Sequence, residues 1–230
     1  MNWGIAAAAV VTGYLCGSIS FARLVYARKR PGETPPLIRI PTTDGEAELV
    51  SHAIGGANVM FGLGPRWGMF VSALDMAKAF LPTLAFRLLV PEPYYLIVPV
   101  AALVGHLVPV WYRFKGGGGN SVIIGGMLAV SPVGLVATQA PAALVGRFFP
   151  VVTFLLGNVF MIPWFWWREG PGSPEMAYAV ATNVLYLAGQ APEAVKGLRL
   201  KRAGHSVDTA LVIRTMKGSM RRDRQSDTAT

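Results

Sequence analysis

The chain has 230 residues, of which 53% are hydrophobic and only 14% are charged, and its formal net charge is +9. This composition excludes an ordinary soluble domain and favours a polytopic membrane protein. The basic residues lie between and after apolar runs, as in loops that face cytoplasm and anionic lipid, so the positive charge does not indicate nucleic-acid binding.

Three apolar stretches in the first half of the chain reach the ~20 residues that cross a bilayer. They cover residues 3–25, 67–90 and 94–112. Residues 28–48 are basic and rich in proline, which predicts an irregular loop on the cytoplasmic side and an N-terminus outside.

Residues 49–64 are too polar for a helix that faces lipid. They include Ser51, His52 and Asn58 among four glycines. Backbone of this kind lies at membrane depth only when it is buried in protein or lines a wet cavity.

The second apolar stretch contains two opposite charges, Asp75 and Lys78, three residues apart. In a helix this spacing places both on one face, where they can form an ion pair. Charged residues within a membrane indicate function by default, although a structural pair that fastens helices remains an alternative.

The second half of the chain is predicted to cross the membrane four times, which makes seven spans in all. Residues 121–145 contain Pro132 and Pro141 and can form one kinked span or two short ones; later spans cover residues 148–167 and 176–187. Two short spans are preferred because one would place the nine basic residues of the C-terminal tail outside, against the positive-inside tendency.

A glycine-rich stretch at residues 105–122 is the main candidate binding element. His106 ends the preceding apolar run, Arg113 and Lys115 follow it, and four successive glycines come next: Gly116, Gly117, Gly118 and Gly119. Four glycines beside two cations can direct several N–H donors at one anion, which describes a phosphate cradle. A flexible hinge at a membrane border is the alternative.

No metal or cofactor site is predicted, because the sequence has no HExxH motif, no carboxylate cluster and a single cysteine, Cys16. No GxSxG or Cys-His combination indicates a protein nucleophile. The polar residues, which gather on the predicted cytoplasmic side, suit phosphate recognition better than covalent catalysis.

Several motifs together resemble the bacterial acyl-phosphate:glycerol-3-phosphate acyltransferase family, PlsY. The glycine-rich stretch is similar to the family motif GHxFPVFxxFKGGKG. Asp75-x-x-Lys78 with Pro82 is similar to its DxxKGxxP helix. Further similarities are in Gly17-Ser18-Ile19-Ser20-Phe21 and in the loop that carries Ser51, Gly55, Asn58, Leu63 and Gly64.

The resemblance implies an all-α membrane protein with seven helices and Gly-rich cytoplasmic loops, which transfers an acyl group from acyl-phosphate to glycerol 3-phosphate in phospholipid biosynthesis. These two compounds and membrane lipid are the implied partners, without a cofactor or metal. It assigns catalysis to Ser51, His106 and Asn183. It assigns phosphate binding to Asn58, Lys115, Gly116, Gly117, Gly118, Gly119 and Arg147, and a structural charged pair to Asp75 and Lys78.

The sequence departs from the family pattern at several positions. Phe61 and Gly118 stand where the family has cations, Val180 replaces a His, and the Ser after Arg147 is lost in Arg147-Phe148-Phe149-Pro150. These changes support an alternative, a paralogue that has lost catalysis and binds lipid or a partner membrane protein. A small-solute transporter is a further alternative, although no inverted repeat supports it.

Residues 1–200 are expected to form one transmembrane domain, and residues 201–230 a basic, partly disordered cytoplasmic tail. The expected location is the bacterial plasma membrane, with the N-terminus outside and the C-terminus in the cytoplasm.

Overall fold

The computed structural model describes residues 2–148 and 152–208, and most of these residues are helical. The helices and strands, in chain order, are α1 (Trp3–Ser18), α2 (Phe21–Lys29), β1 (Ile38–Pro41), β2 (Glu48–Ser51), α3 (Gly56–Leu63), α4 (Pro65–Leu89), α5 (Ile97–Leu107), α6 (Asn120–Val130), α7 (Pro132–Gly146), α8 (Thr153–Val159), α9 (Met161–Glu169) and α10 (Pro174–Arg202).

The predicted class, a mainly helical membrane protein, is confirmed. Three stretches of the described chain are long and apolar enough to cross a membrane, Trp3–Lys29, Pro65–Leu89 and Tyr94–Tyr112. Helices α6 and α7 are apolar but shorter. The total of seven crossings stays a prediction.

The chain divides into two compact units. The first comprises the chain up to Ile19 together with Leu74–Gly189, and the second comprises Ser20–Ala73 together with the described chain from Gln190. Helices α4 and α10 contribute residues to both units. The division into a domain of residues 1–200 and a tail stays a prediction, and residues 209–230 of that tail lie outside the described part.

Small residues bring α1 and α5 into backbone contact in the first unit. A Cβ atom on Gly13 would lie 2.3 Å from the carbonyl oxygen of Val98, and one on Gly17 would lie 2.1 Å from that of Ala102. On α5, a Cβ atom on Gly105 would lie 2.2 Å from the carbonyl oxygen of Tyr14. The pair therefore packs as membrane helices do when small residues allow close approach.

Large apolar side chains fill the core of the first unit. Leu103, Met127, Met161 and Phe165 are each at most 3% exposed. At the edge of this core, Arg87 donates hydrogen bonds to the carbonyl oxygens of Ala129 and Val130, at 2.5 and 3.1 Å. Its positive charge thus caps the C-terminal end of α6, where the helix dipole favours a cation.

The boundaries of several elements differ from those predicted. Residues 121–145 do form two helices, and the break falls at Ser131, whose hydroxyl accepts a hydrogen bond from the N–H of Gly134 at 3.1 Å. Residues 148–167 were predicted as one span, whereas the described part contains α8 and α9. The last predicted span, residues 176–187, is part of the longer α10, which continues through Pro192 to Arg202.

The second unit contains a β-hairpin whose first strand and turn lie in the stretch 28–48, which was predicted to be an irregular loop. Strands β1 and β2 are antiparallel, with Ile38 opposite Ser51 and Pro41 opposite Glu48. Across this pair, Arg39 forms a hydrogen-bonded ion pair with Glu48. Proline at position 41 does not prevent the hairpin because a proline at the end of a two-stranded sheet removes no interior ladder bond.

A segment that follows α10 pairs with the turn of this hairpin. The N–H of Thr43 donates to the carbonyl oxygen of Ser206 at 2.7 Å, and the N–H of Asp208 donates to that of Pro41 at 3.0 Å. The side chains add a further link, since His205 Nδ1 lies 2.7 Å from Asp44 Oδ2.

The pairing of His205 with Asp44 shifts both groups in the expected directions. Hydrogen bonds from the Thr42 hydroxyl and from His205 hold the pKa of Asp44 well below its usual range. The hydrogen bond to Asp44 raises the pKa of His205 above its ordinary value of about 6.5. The pair therefore stabilises this segment most between these two titrations.

We expect the pairing to weaken as the pH rises through the raised pKa of His205, and also as the pH falls through the lowered pKa of Asp44. The measurement is an NMR titration of protein labelled with 13C-histidine. In Asp44→Asn the midpoint of His205 should fall toward the ordinary value, whereas Glu46→Gln, which removes only a minor electrostatic contribution, should change it less. An unchanged midpoint in Asp44→Asn would contradict the assignment.

Candidate functional site

The glycine-rich stretch forms a tight turn between α5 and α6. After Pro109, residues 110–112 make one 3-10 turn, and Arg113 and Phe114 then adopt left-handed backbone conformations, with φ of 52° and 60°. Residues other than glycine rarely adopt this region. The backbone thus reverses direction just before the four glycines.

Two of the glycines are required by the geometry of this turn. A Cβ atom on Gly116 would lie 2.0 Å from the carbonyl oxygen of His106, so no side chain fits there. Gly119 has a φ of 90° and precedes the first residue of α6. Between them, the N–H of Gly117 donates a hydrogen bond to the carbonyl oxygen of His106 at 3.0 Å. The turn is therefore folded back on the end of α5.

This geometry changes which N–H groups are available to an anion. The N–H of Gly117 is committed to His106, so the predicted cradle does not have all four glycine amides to offer. Ile123 is the first residue of α6 whose N–H bonds back to Gly119, at 3.0 Å. The N–H groups of residues 120–122 have no partner within the helix, and such a first turn favours anions.

A buried charge cluster lies next to the turn. Lys78 Nζ is 2.8 Å from Asp75 Oδ1, and it donates a hydrogen bond to the carbonyl oxygen of Ile19, the residue after α1, at 2.6 Å. It also lies 2.9 Å from Nδ1 of His106. Asp75, Lys78 and His106 are only 3%, 6% and 8% exposed. One ammonium group therefore connects α1, α4 and α5.

The contact with Lys78 fixes the role of the His106 ring. An ammonium group has donors but no acceptor, so Nδ1 of His106 must accept. A neutral imidazole then carries its proton on Nε2 and offers an N–H donor there. The side chain of His106 is thus oriented by Lys78, and its carbonyl oxygen by Gly117.

The other predicted residues of the first unit are in different settings. Lys115 is exposed within the turn, and Arg147 is exposed at the C-terminal end of α7. Asn183 is buried in α10, where its amide donates to the carbonyl oxygens of Asn158 and Ala179, both at 2.9 Å. Its Oδ1 has no hydrogen-bond partner among the described residues.

The predicted residues of the second unit are held by their neighbours. Ser51 donates its hydroxyl to Glu193 Oε1 at 2.5 Å. Asn58, which is 2% exposed, accepts a hydrogen bond from the N–H of Gly55 at 2.8 Å and donates to the carbonyl oxygen of Pro36 at 2.9 Å.

Glu193 aligned only weakly with a position of the family pattern and was not among the predicted site residues. Its contact with Ser51 joins residues 142 positions apart, and no local pattern predicts a pairing at that separation. The same holds for the carbonyl oxygen of Ile19, which any residue at that position would offer.

The described chain brings three metal-ligating groups together although the sequence predicts no metal site. Atoms of Asp44, Glu46 and His205 lie within 4.8 Å of one another. The hydrogen bond between His205 and Asp44 already occupies two of the atoms that would face an ion. The cluster is explained by its role in fixing the segment after α10.

Comparison with known proteins gives one family. The family model for glycerol-3-phosphate acyltransferase matches residues 38–195. A glycerol-3-phosphate acyltransferase of Hyphomonas neptunium is 34% identical over 62% of this chain and 63% of its own length. One from Albidiferax ferrireducens is 30% identical over 77% of this chain and 75% of its own length.

A solved structure has the same fold. The crystal structure of PlsY (YgiH), an integral membrane glycerol 3-phosphate acyltransferase in its glycerol 3-phosphate form, superposes with a TM-score of 0.68. The superposition covers 90% of this chain and 98% of the PlsY chain, and the two sequences are 21% identical. The chain spans somewhat less than two thirds of the Hyphomonas relative, and more of the other two proteins.

We expect Lys78→Met to destabilise the protein by about 3–5 kcal/mol, because it leaves the carboxylate of Asp75 buried without its partner. The double variant Asp75→Asn/Lys78→Met should cost less than the sum of the two single variants. Arg168→Met, which breaks an exposed pair with Glu169, should cost about 1 kcal/mol or less. The measurement is unfolding in detergent; equal effects of Lys78→Met and Arg168→Met would contradict the buried cluster.

Proposed function

We infer the function from one premise: the chain belongs to the glycerol-3-phosphate acyltransferase family, as its motifs predicted. On this premise we propose that it is a membrane enzyme that moves an acyl group from an acyl-phosphate to the 1-hydroxyl of glycerol 3-phosphate. The products are lysophosphatidate, an early intermediate of phospholipid biosynthesis, and inorganic phosphate. Because the donor is already activated, the protein needs mainly to position two phosphorylated molecules and to stabilise developing charge.

The observation that carries this proposal is the turn from Arg113 to Gly119. It is folded back on the end of α5, and it leads into the N-terminal end of α6, whose first N–H groups have no intrahelical partner. We propose that a substrate phosphate binds here, held by these N–H groups at the start of α6.

Two cations are assigned to the phosphates. Lys115 extends from the turn itself, and Arg147 follows α7. Each charge-assisted hydrogen bond to a phosphate contributes about 1.5–3 kcal/mol. These residues carry much of the binding, since Phe61 and Gly118 stand where the family has further cations.

His106 and Asn183 are assigned to orienting the reacting groups. Because Lys78 occupies Nδ1 of His106, the neutral ring acts as an N–H donor toward developing negative charge and not as a base. Oδ1 of Asn183, which has no hydrogen-bond partner in the described part of the chain, is assigned as an acceptor for a substrate hydroxyl.

Ser51 is assigned to the acceptor side of the reaction, and Glu193 joins it. The Ser51 hydroxyl donates a hydrogen bond to the carboxylate of Glu193. This bond increases the electron density on Oγ, so that Oγ becomes a better acceptor for the proton of an attacking alcohol. Asn58 keeps a second N–H and a second lone pair after its two backbone bonds, so it retains the capacity to contact a phosphate oxygen.

We assign the protein to the bacterial plasma membrane, with its N-terminus outside and its C-terminus in the cytoplasm. The basic residues of 28–39 and of the C-terminal end of α10 support this orientation. Both substrates would then be taken from the cell interior.

Purified protein in detergent should form lysophosphatidate from acyl-phosphate and radiolabelled glycerol 3-phosphate, and should not accept the coenzyme A thioester of the same acyl chain. Lys115→Ala should lower kcat/KM by about tenfold to a hundredfold, the rate equivalent of one lost charge-assisted bond. The product is measured by thin-layer chromatography.

Arg168→Ala is the matched control, because it removes an exposed cation that has no assigned role and should leave the rate unchanged. Absence of product with acyl-phosphates of several chain lengths would contradict the proposal and favour the non-catalytic paralogue. Equal rates in Lys115→Ala and Arg168→Ala would remove Lys115 from the site.

A further inference from the structure

A groove in the second unit lies outside the residues assigned above. Its cavity is about 510 Å³, within the range of about 300–1,000 Å³ that is typical of small-molecule sites. It lies between β2 and the C-terminal part of α10. All the residues that line it belong to the second unit.

A hydrogen bond and a close approach align α10 with β2. The hydrogen bond joins Ser51 and Glu193. The close approach is at Gly197, where a Cβ atom would lie 4.0 Å from Cδ2 of Leu49. These two points lie four residues apart on α10 and two apart on β2, so the helix and the strand run side by side and leave the groove along their border.

One face of α10 supplies half of the groove. Its lining residues are Lys196, Arg199 and Leu200, and Ala203, the residue after α10, continues their i, i+3, i+4, i+7 spacing. Lys201 and Arg202, on the same last turns, do not line it. The helix period therefore places Lys196 and Arg199 at the groove and directs the other basic residues of these turns elsewhere.

The lining combines positive charge with an apolar surface. Leu49, Val50, Leu200 and Ala203 form the apolar part. Lys196 and Arg199 are exposed, and neither forms an ion pair with any other described residue. Glu48 also lines the groove, but its charge is matched by Arg39. The groove thus presents a net positive charge beside a hydrophobic surface.

We propose that this groove binds a single-chain amphiphile with a phosphate head group. Lys196 and Arg199 hold the phosphate by charge-assisted hydrogen bonds, and the first part of the hydrocarbon chain lies against the apolar residues of β2 and α10. A volume of about 510 Å³ favours one hydrocarbon chain over two. The site is additional to the glycine turn, and ligand binding here does not depend on the acyl-transfer reaction.

The test is photo-crosslinking of the full chain in nanodiscs of phosphatidylcholine, with lysophosphatidate that carries a diazirine on its acyl chain. Mass spectrometry should locate the label in peptides that contain residues 49–50 or 200–203. Unlabelled lysophosphatidate should compete, whereas lysophosphatidylcholine of the same chain and inorganic phosphate should not.

Lys196→Ala/Arg199→Ala should reduce this labelling by about tenfold or more, as expected when two charge-assisted contacts are lost. Lys201→Ala/Arg202→Ala removes the same charge from the same turns of α10 and should label as the unmodified protein does. All four residues are exposed, and unfolding temperatures in detergent check that the variants fold.

Three results would overturn the proposal: equal loss of labelling in both double variants, equal labelling by a diazirine derivative of lysophosphatidylcholine, or equal labelling by one of diacyl phosphatidate. The first result would indicate general attraction to the basic tail, and the others would remove the phosphate or the single chain from the assignment. Because the readout is binding, failure here would leave the transfer assay unaffected, and failure of that assay would leave this result standing.

Discussion

The arrangement of helices in the first unit depends on the contacts of one buried group, the ammonium of Lys78. It is buried together with its counter-ion, Asp75, and it reaches the carbonyl oxygen that follows α1 and the imidazole of His106 at the end of α5. A buried charge is costly unless it is paired and hydrogen-bonded. This cost makes the arrangement specific, since displacing α1 or α5 would leave the buried ammonium group of Lys78 short of one hydrogen-bond acceptor.

The position of the glycine turn follows from this cluster. Lys78 fixes the side chain of His106, and the carbonyl oxygen of the same residue accepts the N–H of Gly117. Gly116 can approach that carbonyl only because it has no Cβ atom. The charged pair, although structural in its contacts, therefore sets the geometry of the element to which we assign phosphate binding. Its link to function is indirect, through His106.

Patterns that repeat along the chain were sufficient to predict the class of fold and the neighbours within one helix. Apolar runs of membrane length gave the helical membrane protein, and the three-residue spacing of Asp75 and Lys78 placed them on one face. The turn at residues 113–119 was predicted as a phosphate cradle from composition alone. The backbone geometry of this turn was not predicted, because the hydrogen bond from the N–H of Gly117 to the carbonyl oxygen of His106 depends on how the chain folds back on α5.

Features that depend on distant partners could not be predicted. The first strand of the hairpin lies in a stretch whose prolines predict a loop, and α10 continues well beyond residue 187, where the last predicted span ends. The hydrogen bond between Ser51 and Glu193 and the approach of Gly197 to Leu49 both join residues well over a hundred positions apart. The groove between β2 and α10 results from the alignment of these two elements, so no local sequence pattern predicts it.

Hydrogen–deuterium exchange of the glycine turn tests the central claim most directly, since it reports on the backbone amides themselves. On addition of glycerol 3-phosphate, peptides that cover residues 113–122 should exchange more slowly, whereas glycerol without its phosphate should have no effect. In Lys78→Met this protection should be lost, because the end of α5 no longer holds the turn in place. Exchange of these peptides that is the same with and without glycerol 3-phosphate in the unmodified protein would contradict the account.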